Sequence, residues 1–307
     1  MTVDWVAGSA RARAMLQRRI GLSGTREIAR LPSLEPALRL LEVGPYGRGV
    51  RRGQSLAEAQ RGVVDALMWN WRVLAAWLPR AGVAMLRTLA AGAEAANVDD
   101  RLLALSGADV PPPVRLGALA TAWPRLAAAA TPDELRRALA TSAWGDPAAE
   151  SPAEIALFLR LSLADRTIAA VPAAAKWASG AAALLLASQH FVTGRLVSGQ
   201  ARHYAVRVLG DRAVETATLP EFVAALPASA RWALAGVADP AGLWHAGTDW
   251  WHRLGRDGGA LVSRPVASAD VPVGCVAAMA ADAWRLRAAL ESADRGGTAE
   301  EILDAVG

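Results

Sequence analysis

The densest group of potential metal ligands lies at residues 243–252, which read LWHAGTDWWH. His245, Asp249 and His252 are spaced by four and then three residues, so an α-helix would carry all three on one face. Imidazole and carboxylate groups arranged in this way can bind Zn²⁺, and one hypothesis is a helical enzyme that uses this region. The neighbouring tryptophans instead favour packing or a partner-facing surface, and Gly247 weakens a helix.

A second pattern joins an acid to a polar or basic residue three positions later on a predicted long helix. Glu94 is followed by Asn97, and Asp282 is followed by Arg285 and then Arg287. Residues three apart share a helix face, so each pair can bond to backbone ends of neighbouring helices in a bundle. The alternative is an ordinary satisfied polar contact where helices cross. No nucleophile or basic catalyst accompanies these residues, and we predict a structural motif.

Signatures of the common enzyme classes do not occur in the sequence. GxxxxGK[ST], GxSxG and HExxH are all missing. Cys275 is the single cysteine and has apolar neighbours, which predicts a buried, inert thiol. It also excludes a disulfide within the chain and a cysteine-based zinc site. His190 and His203 lack an obvious serine or cysteine partner, so we expect no catalytic residue and no cofactor.

Arginines near the N-terminus raise the question of nucleic-acid binding. The group is Arg11, Arg13, Arg18 and Arg19, in a chain of formal net charge +4. No recognition-helix motif or RNP pattern accompanies it, so we expect no nucleic acid as partner. Contact with a partner or a lipid headgroup and a plain solvated face both remain open.

Composition predicts an all-α protein. Hydrophobic residues make up 53% of the 307 positions, alanine is the commonest of them, and only 6% are aromatic. Alanine favours helices, whereas strands favour β-branched and aromatic residues. The uncharged stretch 177–194 has 18 residues with its polar ones gathered at one end. We interpret it as a buried helix of a soluble protein and not as a membrane span.

Helix starts are well marked along the chain. A hydroxyl residue followed three positions later by glutamate is typical of a capping box. Such boxes are predicted at Ser55, Thr131, Ser151 and Thr298, with a weaker version at Thr218.

These starts recur as an internal repeat. Ser33 and Thr131 each precede an aromatic residue by 13 positions, namely Tyr46 and Trp144, and a second cap and a longer helical run follow. A third copy runs from Thr218 towards an aromatic residue 14 positions later. We predict three similar helical modules at about 1–110, 111–212 and 213–307.

In the order of these features the chain resembles the family of the vacuolar-type ATPase d subunit and its archaeal-type counterpart, the C subunit. The resemblance covers essentially the whole length. The matching features are an opening helix at 10–15, a turn VGPYG at 43–47, acid segments at 94–98 and 282–287, and a turn and final helix at 296–303. Asp99 and Arg285 stand where the family has a basic residue and an asparagine, and the middle copy at 180–185 lacks both polar positions.

The resemblance implies a single domain over 1–307, with three helical modules in a pseudo-threefold, funnel-like arrangement. It implies a non-catalytic rotor protein of a rotary ATPase, which links the central stalk to the membrane ring of proteolipid c subunits for ion (proton) transport. Its partners would be the central stalk and the c ring, and its place the cytoplasmic face of the membrane, as a peripheral protein. The alternative is a free-standing helical-repeat scaffold that binds another protein partner.

Overall fold

The computed structural model describes residues 3–297, and in that range the chain forms helices and turns without a strand. The all-α prediction is confirmed. The α-helices of the described range are α1 (Val6–Leu16), α2 (Gly21–Ala29), α3 (Leu34–Glu42), α4 (Leu56–Ala75), α5 (Arg80–Leu105), α6 (Trp123–Ala127), α7 (Pro132–Ala140), α8 (Pro152–Ala170), α9 (Ala175–Ala187), α10 (Gly199–Leu209), α11 (Asp211–Val214), α12 (Leu219–Ala225), α13 (Ala228–Arg231), α14 (Leu243–Val262) and α15 (Asp270–Asp294).

Short 3-10 turns and one π turn complete the secondary structure of the described residues. The 3-10 turns are Val3–Trp5, Gly117–Leu119, Pro172–Ala174, Trp232–Leu234 and Pro240–Gly242. The π turn, Ser188–Val192, continues directly from α9, so the uncharged stretch 177–194 forms α9 and this turn. Within residues 3–297, no helix combines the length and the apolar character that a membrane crossing needs.

The predicted caps start the helices that the sequence assigned to them. Ser55 and Glu58 form a complete capping box, since the Glu58 amide donates to Ser55 Oγ at 3.3 Å and the Ser55 amide donates to Glu58 Oε2 at 2.8 Å. Thr131, Ser151 and Thr218 likewise accept the amide of the glutamate three residues on. Ser33 precedes α3 without a side-chain bond to it. The box predicted at Thr298 lies outside the described residues.

Two compact units divide the described chain. The first comprises residues 3–86, 111–117 and 251–297, and the second comprises 87–110 and 118–250. This division follows spatial contacts, whereas the modules at 1–110, 111–212 and 213–307 follow sequence repeats, and those modules stay a prediction.

The first unit is built around α15, which contacts α1, α2, α3 and α4. Helix α15 is buried on nearly all sides over its length, as expected of a central helix. Gly258 on α14 and Gly274 on α15 let two backbones meet, because a Cβ atom at Gly274 would lie 2.5 Å from the Gly258 carbonyl oxygen. The crossing therefore depends on both glycines.

The second unit has a core formed by α8, α9 and α10, with α13 against α9. Its fully buried side chains include Trp144, Phe158 and Phe222. Phe158 meets Tyr204 of α10 edge to face, with ring centroids 5.7 Å apart. Large aromatic groups thus fill the spaces that the abundant alanines leave.

Candidate functional site: buried carboxylates at helix starts

Asp282 is fully buried on α15 and fixes the start of α2. Its Oδ1 accepts a hydrogen bond from the Gly21 amide at 2.9 Å, and its Oδ2 accepts from the Ile20 amide at 3.2 Å. The Tyr46 hydroxyl donates to Oδ2 at 3.0 Å. Amides in the first turn of a helix lack partners within the helix, and the helix dipole favours a negative charge there. Asp282 therefore joins α15 to α2 and to the turn after α3.

Glu94 has the same role in the second unit. It is fully buried on α5, and it accepts the amides of Thr121 at 2.6 Å and of Ala122 at 2.9 Å. Trp144 donates its indole Nε1–H to Glu94 Oε1 at 2.7 Å. The two amides immediately precede α6, which begins at Trp123. Glu94 therefore joins α5 to the start of α6 and to the turn after α7.

The two arrangements share the same three parts. Each has a carboxylate on a long helix, two successive amides at or just before the start of a short helix, and an aromatic donor in the turn after the next short helix. The aromatic donors are Tyr46 and Trp144, the residues that lie 13 positions after Ser33 and Thr131. The sequence indicated the acids and the aromatics separately, but it carried no signal that links them.

Burial governs the charges around these networks. It raises the pKa of Tyr46 well above its usual value, and the neighbouring Asp282 carboxylate raises it further. The phenol therefore stays protonated and keeps donating. In the second unit the Arg166 guanidinium lies 4.9 Å from the centroid of the Trp144 ring, and burial lowers the pKa of Arg166. A cation thus lies near the Glu94 network without a direct bond to it.

The remaining residues of the predicted motif separate by burial. Asn97 is fully buried one turn along α5 from Glu94. Arg285 is 8% exposed one turn along α15 from Asp282, whereas Arg287 is on an exposed face. No hydrogen bond joins Arg285 to Asp282 in the described structure, so the two residues do not form the direct pair that their spacing allows.

The middle copy of the motif, at 180–185, has Gly180 in place of the acid. A Cβ atom at Gly180 of α9 would lie 2.8 Å from the Trp232 ring and 3.1 Å from the Ala233 Cβ. The Trp232 indole donates to the Ser229 carbonyl oxygen at 2.9 Å. An aromatic residue therefore packs directly on the long helix where the other two copies place a carboxylate.

The histidines do not assemble a metal centre. Among residues 3–297, no group of three histidine, cysteine, aspartate or glutamate side chains is placed to hold a metal ion. The His245 ring stacks on Trp244 with centroids 3.4 Å apart, and the His252 ring meets Trp284 edge to face at 6.0 Å. The segment is continuous helix in spite of Gly247. The tryptophans thus supply ring contacts to both histidines.

Cys275 is fully buried on α15, with its Sγ 3.2 Å from the Ala12 carbonyl oxygen. Burial raises the pKa of the Cys275 thiol to about 12, so the group remains a neutral thiol at ordinary pH.

Each buried carboxylate is committed to three donors, and its chemical effect is to orient helices. No protein-family model and no curated protein matches the chain.

Proposed function

We propose that the chain is a non-catalytic rotor protein of a vacuolar- or archaeal-type rotary ATPase, which connects the central stalk to the proteolipid c ring. The observation that carries the proposal is the repeated carboxylate arrangement. Glu94 and Asp282 are the acids of the two segments that resemble the d subunit family, and each holds the start of a short helix. A motif with one geometry at two places supports repeated modules.

The proposal includes three modules in a pseudo-threefold, funnel-like arrangement. Each module would comprise a short helix and a later pair of long helices, namely α3 with α4 and α5, α7 with α8 and α9, and α12 with α14 and α15. The contact between Gly180 and Trp232 supports the middle copy of the motif. Like Glu94 and Asp282, Gly180 lies on the second long helix of one module and meets an aromatic residue of the next module, but without a carboxylate. The funnel-like shape is proposed from the resemblance.

A rotor protein has to transmit torque, and this requires stiff joints between helices. A buried carboxylate with three donors holds two segments to a long helix, because a shift would break its bonds to two partly buried amides and to one buried aromatic donor. Glycine contacts such as Gly258 with Gly274 add rigid backbone-to-backbone packing. These features suit a part that carries load.

The proposed partners are the central stalk and the c ring, and the proposed place is the cytoplasmic face of the membrane. The transport served would be that of an ion, the proton.

Coupling between ATP hydrolysis and ion transport tests the function. Inverted membrane vesicles from cells that lack the chain should hydrolyse ATP without ATP-driven ion uptake, and the restored gene should recover uptake. Undiminished uptake in the deletion strain, with the rest of the complex present, would refute the proposal.

The second candidate is a free-standing helical-repeat scaffold, and Asp99 favours it. Asp99 stands where the family has a basic residue, and it forms an ion pair with Arg160 at 2.5 Å. This reversed charge is thus satisfied locally, as in a chain with a different partner. A scaffold would keep the module architecture and bind neither the central stalk nor the c ring.

A further inference from the structure

Two neighbouring cavities lie beside residues 193–198, the segment that joins the π turn to α10. Their volumes are about 350 Å³ and about 370 Å³, and the residues that line them belong to the second unit. Leu196 lines both cavities, and its side chain is 75% exposed. A single exposed leucine is common on protein surfaces, but this one is a wall that two cavities share.

The floors of both cavities are apolar. The first cavity reaches the buried residues Leu157 and Ala201, and the second reaches the buried residue Leu186. Val214 adds half-buried apolar surface to the second cavity. Volumes of this size with apolar floors are typical of sites that hold ligand groups. The two cavities, with Leu196 between them, therefore present a divided apolar groove to solvent.

Acidic side chains surround this groove. Glu150 and Glu154 line the first cavity, Glu215 lines the second, and all three residues are exposed. Within residues 3–297, the Glu150 carboxylate makes no hydrogen bond or ion pair. Glu154 Oε2 accepts a hydrogen bond from Ser151 Oγ at 2.6 Å, which leaves its other oxygen available. The acids are a local feature, because the whole chain has a formal net charge of +4.

Arg202 does not reverse this local charge. Among the described residues that line the two cavities, it is the single arginine or lysine. Its Nη2 donates to Glu215 Oε1 at 2.8 Å and to Asp211 Oδ1 at 3.0 Å, so two carboxylates already balance it. Arg195, in the same segment as Leu196, lines neither cavity, and a protonated His190 in the second cavity would still leave the acids in excess. A cationic ligand would balance this excess.

We propose that the two cavities form one docking groove for a basic amphipathic segment of a partner protein. Apolar side chains of the segment would enter the two cavities and cover Leu196. Its lysine or arginine side chains would meet the carboxylates of Glu150, Glu154 and Glu215. Two cavities of similar chemistry on either side of one leucine favour a segment that spans both over a small molecule that fills one. The groove does not depend on the rotor assignment, and each proposal can fail without the other.

Fluorescence anisotropy with the full-length chain and a fluorescein-labelled peptide of leucine and lysine tests the groove. A peptide with serine in place of leucine measures attraction by charge alone. Leu196→Ser should weaken binding of the leucine–lysine peptide about tenfold, because the complex buries this side chain. Leu103→Ser, at an exposed leucine of α5 outside the groove, is the matched control and should bind like the wild type.

A second pair of variants tests the charges. Glu150→Lys should weaken binding about threefold or more at low salt. Asp109→Lys makes the same change in net charge at an exposed acid outside the groove, so it should have a smaller effect. The four replaced side chains are all exposed, and the circular dichroism spectra of the variants should match that of the wild type.

Failure of the leucine–lysine peptide to bind, or equal affinity in wild type and Leu196→Ser, would overturn the proposal. Equal losses in Glu150→Lys and Asp109→Lys would do the same, as would equally tight binding of the serine–lysine peptide. Binding of hexylamine but not of the peptide would also overturn it, because the cavities would then hold a small amphipathic cation and not a partner segment.

Discussion

Replacing Asp282 tests whether the buried carboxylate holds the first unit together. Asp282→Ala removes the acceptor of three donors in one step. A hydrogen bond to a charged group contributes about 1.5–3 kcal/mol, and a buried donor without a partner costs a similar amount. Water can reach the two partly buried amides after the change, so we expect a loss of about 3–5 kcal/mol and not the full sum.

Graded variants separate the three bonds. Asp282→Asn keeps one acceptor oxygen and should cost about 2 kcal/mol, and Tyr46→Phe removes one donor at about 1–2 kcal/mol. The double variant with Asp282→Asn and Tyr46→Phe should lose less stability than the sum of the two single losses. Both substitutions affect the same hydrogen bond, from the Tyr46 hydroxyl to Asp282. Asp270→Ala is the control on the same helix, since Asp270 forms only an exposed ion pair with Arg264 and should cost at most about 1 kcal/mol.

Urea unfolding monitored by circular dichroism provides the free energies, with the slope m checked for constancy. The alkaline range adds an independent test through Tyr46, whose pKa is raised in the folded protein. Above about pH 10 the unfolded chain loses this proton while the folded chain keeps it, so unfolding becomes easier as pH rises. The stability advantage of wild type over Tyr46→Phe should thus be full below pH 10 and shrink above it. A cost of Asp282→Ala no larger than that of Asp270→Ala would refute the reasoning.

Two further substitutions and one labelling experiment test local features. Ser55→Ala removes the capping-box hydroxyl and should lower the free energy of urea unfolding by about 1 kcal/mol. Ser33→Ala is the control and should change it little, because Ser33 makes no side-chain bond at its helix start. Equal losses in the two variants would contradict the role of the cap. Gly258→Ala should destabilise the protein by about 1–3 kcal/mol, because the new Cβ would lie 2.7 Å from the Gly274 carbonyl oxygen of α15. The adjacent Gly259→Ala is the control: its Cβ would meet no atom within 4 Å, so it should stabilise α14 slightly. Thermal melts with the opposite order of stability would exclude this helix crossing. Cys275 should react with iodoacetamide at pH 8 only after denaturation, as followed by mass spectrometry, since its pKa is about 12 in the folded protein; rapid labelling of the native chain would contradict its burial.

Local signals predicted the starts of α4, α7, α8 and α12. A hydroxyl residue three positions before glutamate satisfies free amides within one turn, so the helix starts at Ser55, Thr131, Ser151 and Thr218 could be predicted from neighbouring residues alone. Composition predicted the all-α class for the same reason, since helix propensity acts residue by residue.

The candidate site was predictable only in part. Spacing indicated Glu94 and Asp282 as acids on helix faces, but their partners Trp144 and Tyr46 lie 50 and 236 residues away in sequence. Contacts over such distances depend on packing, which no local pattern encodes. The histidine cluster shows the opposite case. Helical spacing suggested a metal site, but in the structure the rings of His245 and His252 lie against Trp244 and Trp284. No group of three ligand side chains forms among residues 3–297.

The partners of the chain test the central claim most directly. A tagged copy, isolated from gently solubilised membranes of its native cells, should bring with it both the proteolipids of the c ring and the proteins of the central stalk, as identified by mass spectrometry. A tagged but unrelated cytoplasmic protein from the same cells provides the background. Recovery of the chain without either partner, while the rest of the ATPase complex is intact, would contradict the account.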